Sequence, residues 1–174
     1  MTCITCALLL TAAMAAEPLS IDVGRGPEEL VIQFELTEEL PESLASVLSS
    51  GAKVEIDYAL RVYGRRRLFP DRRIWKGVAQ SVVSFDAVTG RYRCQLIVAG
   101  TTTISREVDS PDAARQWLAA PPPVAVPLPR ARRDAHLRIR VRAVFSSGTT
   151  WLVFPTTEGT DWVEVKLDPP QEEE

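Results

Sequence analysis

The feature that most constrains the fold is a strict alternation of apolar and polar side chains along much of the chain. From Val54 to Val62 every second residue is apolar, and most of the residues between them are charged. The same pattern runs from Leu30 to Leu36, from Tyr92 to Val98 and from Leu137 to Phe145. A period of two residues is typical of strands that bury one face. The sequence therefore predicts a mainly β domain.

Two segments carry helix signals instead. Thr37, the acids after it and Pro41 favour the start of a helix that ends at Gly51. Ser110, followed by Pro and Asp, favours a second helix, which the prolines from Pro121 onward end. Between them, strands over 74–85, 92–98 and 101–108 are separated by short turns, which predicts an antiparallel meander.

The remaining segments complete an order of β-β-α-β-β-β-β-α-β-β-β. The first strand is expected near Leu19 to Val23, and the last two over Trp151 to Phe154 and Trp162 to Leu167. The proline-rich stretch up to Pro129 is expected to be extended and polyproline-like. We expect an antiparallel β-sandwich or curled sheet with two short helices over an end or a face.

The first 16 residues are typical of a cleavable export signal. They contain no charged side chain, have an apolar centre from Ala7 to Leu10, and end in Ala13-Met14-Ala15, with cleavage after Ala15 or Ala16. Since the segment lacks a basic residue at its front, an upstream start and an uncleaved anchor are the alternatives. Its apolar run is shorter than the about 20 residues that span a bilayer.

This interpretation divides the chain into three parts: a signal peptide over 1–16, a single β-rich domain over 17–168, and an acidic, disordered tail over 169–174. We expect the domain to be extracytoplasmic, either periplasmic or secreted, with no transmembrane span after cleavage. Removal of the signal leaves Cys94 as the one cysteine, on the apolar side of its strand, where a core role is expected. The net charge of −3 argues against bulk nucleic-acid binding.

Three segments carry a resemblance to a known family. They read SGAKVEIDYALRVYGRRR, VTGRYRCQLIVAGTTTISREVDSPDAARQWLAA and HLRIRVRAVF. Together they resemble the exported bacterial proteins named domain of unknown function forty-three ninety, over roughly residues 28–145. The resemblance implies a bacterial extracytoplasmic protein, often encoded near sensor-kinase genes. The family has no established catalytic residues, so none are carried over to this chain.

A cluster of arginines is the strongest functional signal. Like charges crowded together repel one another unless an anion lies among them. Outside the cytoplasm, such anions are lipid headgroups, envelope polymers or an acidic envelope protein. A solvated hairpin tip is the simpler interpretation. The hypothesis is a non-enzymatic binding module of the bacterial envelope, whose candidate contact residues are Arg65, Arg66, Arg67, Phe69, Arg72 and Arg73.

Two other functions stay open. Glu55 and Asp57 share one strand face about 7 Å apart, close to the carboxylate spacing of an enzyme that acts on envelope glycans. Pairing with Arg138 or Arg140 across strands explains them more simply. The other alternative is a structural subunit that pairs with another chain through a sheet edge.

The chain offers little for catalysis or for metal binding. His136 is the one histidine, and it is expected to be solvated at the start of its strand. A zinc site needs three or four ligands, and the sequence has no such cluster. No cofactor fingerprint is present either, so we predict no metal, no cofactor and no enzymatic activity. Arg138, Arg140 and Arg142, which alternate along one strand, are expected to pair with acids of the neighbouring strand.

Overall fold

The computed structural model describes residues 17–26, 28–40, 42–66, 69–129, 135–146 and 158–169 of the chain. The strands are β1 (Leu19–Arg25), β2 (Glu29–Leu36), β3 (Val54–Gly64), β4 (Arg72–Asp86), β5 (Arg91–Val98), β6 (Thr101–Val108), β7 (Val124–Pro127), β8 (Leu137–Ser146), β9 (Glu158–Gly159) and β10 (Val163–Leu167); the helices are α1 (Glu42–Ser49) and α2 (Pro111–Ala119). The predicted signal over 1–16, the predicted strand over Trp151 to Phe154 and all but the first residue of the predicted tail lie outside the described residues.

The strands form two antiparallel sheets, which confirms the mainly β prediction. Counted over the described residues, the small sheet has three strands in the order β1-β2-β7, and the large sheet has seven. The path of the large sheet is β10-β8-β3-β4-β5-β6, and β9 also pairs with β8. Strands β3 to β6 follow one another as a meander, whereas β8 returns to pair with the free side of β3.

The inner faces of the two sheets share one hydrophobic core. Along β3, alternate residues from Val54 to Val62 are buried, and the same alternation continues along β8 from Leu137 to Ala143. The ring of Phe34 in β2 lies 4.4 Å from the ring of Tyr58 in β3, measured between centroids. The small sheet therefore packs against one face of the large sheet. The opposite face is called the outer face below.

Two buried hydroxyl groups attach helix α2 to the large sheet. The Tyr58 hydroxyl donates to the carbonyl of Leu118 at 2.6 Å, and the Ser81 hydroxyl donates to the carbonyl of Trp117 at 3.0 Å. These carbonyls lie in the last turn of α2, where no helical N–H can reach them. Burial raises the pKa of Tyr58 well above its ordinary value, so its hydroxyl remains a donor.

The two helices match the sequence signals to different degrees. At α2 the predicted cap is confirmed, because the Ser110 hydroxyl accepts the N–H of Ala113 at 3.1 Å. The predicted start of α1 at Thr37 is wrong, since that helix begins at Glu42. The N–H and hydroxyl of Thr37 instead bond to the carbonyls of residues 18 and 17, which extends the pairing of β1 with β2. Strand pairing thus outweighs the local capping signal.

Part of the proline-rich stretch forms a strand that the sequence pattern did not predict. Val124–Pro127 forms β7, which pairs with β2 so that Val126 lies opposite Leu30. The side chains of Val124 and Val126 are buried in the core. Proline is tolerated here because β7 is an edge strand of the small sheet.

Candidate anion-binding surface

The arginine-rich segment singled out by the sequence joins β3 to β4. Phe69, within this segment, is 68% exposed. Of the six predicted contact residues, Arg67 lies outside the described residues. The other five are exposed: Arg65, Arg66, Phe69, Arg72 and Arg73. The segment, residues 65–73, is called the arginine loop.

The base of the arginine loop is fixed to strand β8. The Arg65 N–H donates to the carbonyl of His136 at 2.9 Å, and the Arg66 N–H donates to Oδ1 of Asp71 at 3.3 Å. The other carboxylate oxygen of Asp71 lies 2.8 Å from the guanidinium of Arg138. One acid therefore connects the loop to the arginines of β8.

Those arginines form a row on the outer face of the large sheet. Arg138, Arg140 and Arg142 alternate along β8 with buried apolar residues, so their side chains point away from the core. Arg61 of β3 lies directly opposite Arg140. The guanidinium carbon of Arg138 lies 5.3 Å from the ring centroid of Tyr63. We call the four arginines the arginine ladder.

The indole ring of Trp162 is the centre of the ladder. The guanidinium carbons of Arg61, Arg142 and Arg140 lie 4.3, 5.0 and 5.3 Å from its ring centroid. Each distance is within the range at which a cation is attracted to an aromatic face, with roughly 0.5–1 kcal/mol gained at an exposed site. The ring therefore holds three like charges close together.

Acids neutralise the ladder in part. Glu164 of β10 lies 3.6 Å from the guanidinium of Arg138 and 3.7 Å from that of Arg140. The expected pairing with acids of the adjacent strand therefore holds for these two arginines. Within the described residues, Arg61 and Arg142 have no ion pair. Among the residues that the structure describes, the ladder therefore carries more positive charge than its acidic partners balance.

The Nε atoms of Arg138, Arg140 and Arg142 are shielded from solvent and make no hydrogen bond to any described residue, because even the Glu164 oxygen that faces Nε of Arg140 is 3.7 Å away. The side chains of Arg138 and Arg140 are about one third exposed, at 30% and 32%. A buried donor without an acceptor is unfavourable, because it has lost its water without replacement. An anion that reached these guanidinium groups would relieve both this deficit and the charge repulsion.

The carboxylates of Glu55 and Asp57 lie elsewhere on the outer face and do not pair with the ladder. Nε2 of Gln80 donates to Glu55 at 2.7 Å and to Asp57 at 3.0 Å, and Nζ of Lys53 lies 2.9 Å from Glu55. The suggestion that Arg138 or Arg140 pairs with them is wrong, because the β3–β8 register places Val144 opposite Asp57. Both acids have partners within their own sheet.

The two candidate nucleophile or acid–base residues have ordinary surroundings. Cys94 is fully buried, and burial raises the pKa of its thiol to about 11, so the expected core role is confirmed. His136 is exposed, and its Nδ1 lies 3.0 Å from a carboxylate oxygen of Asp168.

Two findings concern metals and membranes in the described part of the chain. No group of three or more His, Cys, Asp or Glu side chains there could hold a metal ion. Among the same residues, no helix has the length and apolar character needed to cross a membrane.

Comparison with known proteins identifies the family. The model of the family described as Domain of unknown function (DUF4390) matches residues 14–152. The chain belongs to this family. The match includes the segments that suggested the resemblance, and the family's description assigns no activity. Neither the curated proteins nor the solved structures give a significant match to the chain.

Sequence patterns found the arginine loop and three members of the ladder but missed Arg61 and Trp162. Arg61 was visible as a charged residue on the polar side of β3, and Trp162 as an aromatic residue before the last strand. Their meeting depends on β8 lying between β3 and β10. No local signal gives that strand order.

Proposed function

We propose that this protein is a non-enzymatic interaction module of the bacterial envelope, which binds an anionic surface outside the cytoplasm. The observation that carries the proposal is the continuity of the arginine loop and the arginine ladder through Asp71. Together they form one basic surface, on which the acids in contact with the ladder in the described part of the chain, Asp71 and Glu164, are fewer than the arginines.

The arginine loop supplies the first contact. Phe69 is exposed within it, with arginines on both sides in the sequence. Basic side chains attract a protein to anionic lipid, and an aromatic side chain inserts at the headgroup boundary. This combination favours a lipid headgroup surface over a purely polar polymer, for which an exposed phenylalanine has no use.

The ladder supplies a second, more rigid contact. Arginine guanidinium groups bind phosphate oxygens in pairs, and the geometry is most favourable when the groups are held in place beforehand. Stacking on Trp162 restricts three of the four guanidinium groups in this way. The predicted export signal over residues 1–16 supports the location, since it would bring the surface to the envelope.

The test replaces Arg65, Arg66 and Arg67 by Ser and measures binding to vesicles of phosphatidylcholine with and without phosphatidylglycerol. We expect the wild-type protein to bind the anionic vesicles selectively. At about 1 kcal/mol for each arginine near the surface, the triple variant should lose roughly two orders of magnitude in affinity. Phe69→Ser should weaken binding without changing its dependence on salt.

A matched control removes the same charge elsewhere. Arg91, Arg93 and Arg115 each pair with an acid, and replacing them by Ser changes the net charge by the same amount. This variant should bind within a few-fold of wild type. Equal binding by the loop variant and wild type would refute the proposal, and binding to soluble polyphosphate in place of vesicles would redirect it to an envelope polymer.

A further inference from the structure

Strand β6 forms one edge of the large sheet, at the end opposite to β10. It pairs with β5 along one side, and among the described residues no strand pairs with its other side. Its residues from Thr101 to Glu107 are exposed. An edge of this kind leaves backbone N–H and C=O groups that can pair with another extended chain.

The protection of the β6 edge is limited to a bulge at Thr103, where the register with β5 shifts, and to the inward-facing charge of Arg106. Its residues read TTTISREV, without the proline or lysine that commonly blocks edge pairing. Five of the eight are β-branched, which suits an extended partner packed beside them. The regular part of the strand after the bulge, from Ile104 to Val108, is therefore competent to receive a further strand.

A cleft lies between β6 and α2 on the inner side of this edge. Its volume is about 390 Å³, and its walls include Val108 from β6, Trp117 from α2 and Pro121 after the helix. Arg106 also lines it, since Arg106 lies opposite the buried Cys94 and therefore on the same inner face. The small sheet reaches this cleft with Gln33.

The charge in the cleft indicates which partner it fits. No acidic residue is among the residues that line it, and Arg106 makes no ion pair with the described residues. The cleft thus offers apolar walls, two amide side chains from Gln33 and Gln116, and a single cation. A carboxylate flanked by apolar side chains is the complementary ligand.

We propose that an extended peptide segment of a partner protein adds to β6 as a further strand and directs a carboxylate to Arg106. Main-chain hydrogen bonds to the edge would supply affinity, and alternate side chains in the cleft would supply specificity, as in other cases of strand addition. Strand β6 would supply the main-chain hydrogen bonds, and the cleft between β6 and α2 would supply the side-chain contacts. This site is distinct from the basic surface, which lies toward the other end of the sheet.

The test presents the purified protein with two pools of random heptapeptides, which differ in having Asp or Asn fixed at the centre. Peptides retained by the immobilised protein are identified by mass spectrometry and their affinities measured by fluorescence anisotropy. We expect selective retention from the Asp pool, and a roughly tenfold loss of affinity for Arg106→Gln, as for one charge-assisted hydrogen bond. Arg93→Gln, on the opposite face of the same hairpin, is the matched control.

A second measurement reports strand addition directly. Hydrogen exchange should slow at β6 amides when a retained peptide is added. N-methylation of one set of alternate peptide amides should abolish binding, whereas methylation of the other set should not. Equal retention of both pools by wild type and Arg106→Gln would overturn the proposal. So would a dimer in sedimentation experiments that already protects β6, because a second copy would then occupy the edge.

Discussion

The two ends of the large sheet carry arginines in the same alternating pattern but surround them differently. On β5, Arg91 and Arg93 approach Glu107 of β6 at 3.7 and 3.9 Å, with arginine side chains that are 54% and 52% exposed. On β8, Arg138 and Arg140 approach Glu164 at similar distances, yet their side chains are about one third exposed and pack against aromatic rings.

The difference shows that the residues around a row of arginines decide whether its positive charge is balanced or concentrated. At the β5–β6 end, exposed ion pairs balance the charges of Arg91 and Arg93 and contribute little to stability, because water screens them. At the β8 end, Arg61 adds a fourth cation from the neighbouring strand, and Trp162 replaces part of the solvent. At the β8 end, therefore, positive charge is concentrated, and the guanidinium groups that carry it are also restricted in position.

The largest expected effect comes from breaking the centre of the ladder. Trp162→Ala removes three cation–π contacts and an aromatic ring, and we expect the free energy of unfolding to fall by about 2–3 kcal/mol. Trp162→Phe should lose about half as much, because it retains a ring face. Urea unfolding measures both changes. A loss below about 0.5 kcal/mol for the alanine variant would show that stacking does not hold the ladder.

A smaller effect compares the acids at the two ends. Glu164 and Glu107 each contact two arginines of a neighbouring strand, but their side chains are 29% and 49% exposed. We expect Glu164→Gln to cost about 1 kcal/mol of stability and Glu107→Gln only a few tenths.

The same two variants also test whether the two ends of the large sheet differ in vesicle binding. Glu164→Gln removes an acid from the basic surface and should tighten binding to phosphatidylglycerol vesicles by a few-fold, whereas Glu107→Gln should leave it unchanged. Equal effects of the two variants, in unfolding or in vesicle binding, would mean that the ends of the sheet do not differ as the contacts indicate.

The smallest effect concerns the turn at the β5–β6 end. Ala99 and Gly100 join the strands, and both have positive φ, at 52° and 81°. Alanine is disfavoured in this left-handed region, where asparagine is tolerated. Ala99→Asn should stabilise the protein by about 0.5 kcal/mol in thermal unfolding and leave vesicle binding unaltered. Destabilisation by this substitution would indicate that the turn does not require a left-handed residue.

Sequence patterns predicted the local features of this protein well. Alternation located the strands that contain Phe34, Tyr58 and Cys94, whose inward positions follow from period two alone. The arginine loop was visible because it is a charged segment between two such strands. The start of α1 was not, because the hydrogen bonds of Thr37 go to the two residues just before β1, about twenty residues earlier in the chain.

Features that depend on strand order were beyond local reasoning. Strand β7 forms because Val124 and Val126 find a partner in β2, roughly ninety residues away in the chain. The ladder needs β8 between β3 and β10, and the cleft needs α2 to lie beside β6. Each of these arrangements results from burial of apolar surface over long sequence separations, which periodicity does not encode.

The alternation along β8 has a consequence for the fidelity of folding. A shift of β8 by one residue against β3 would turn Arg138, Arg140 and Arg142 into the core and expose Leu137 and Ile139. Burial of three guanidinium groups is far more unfavourable than any gain from a misaligned pairing. The charges that make this face a candidate for anion binding therefore also make the correct alignment of the central strands unambiguous while the chain folds, before any ligand is present.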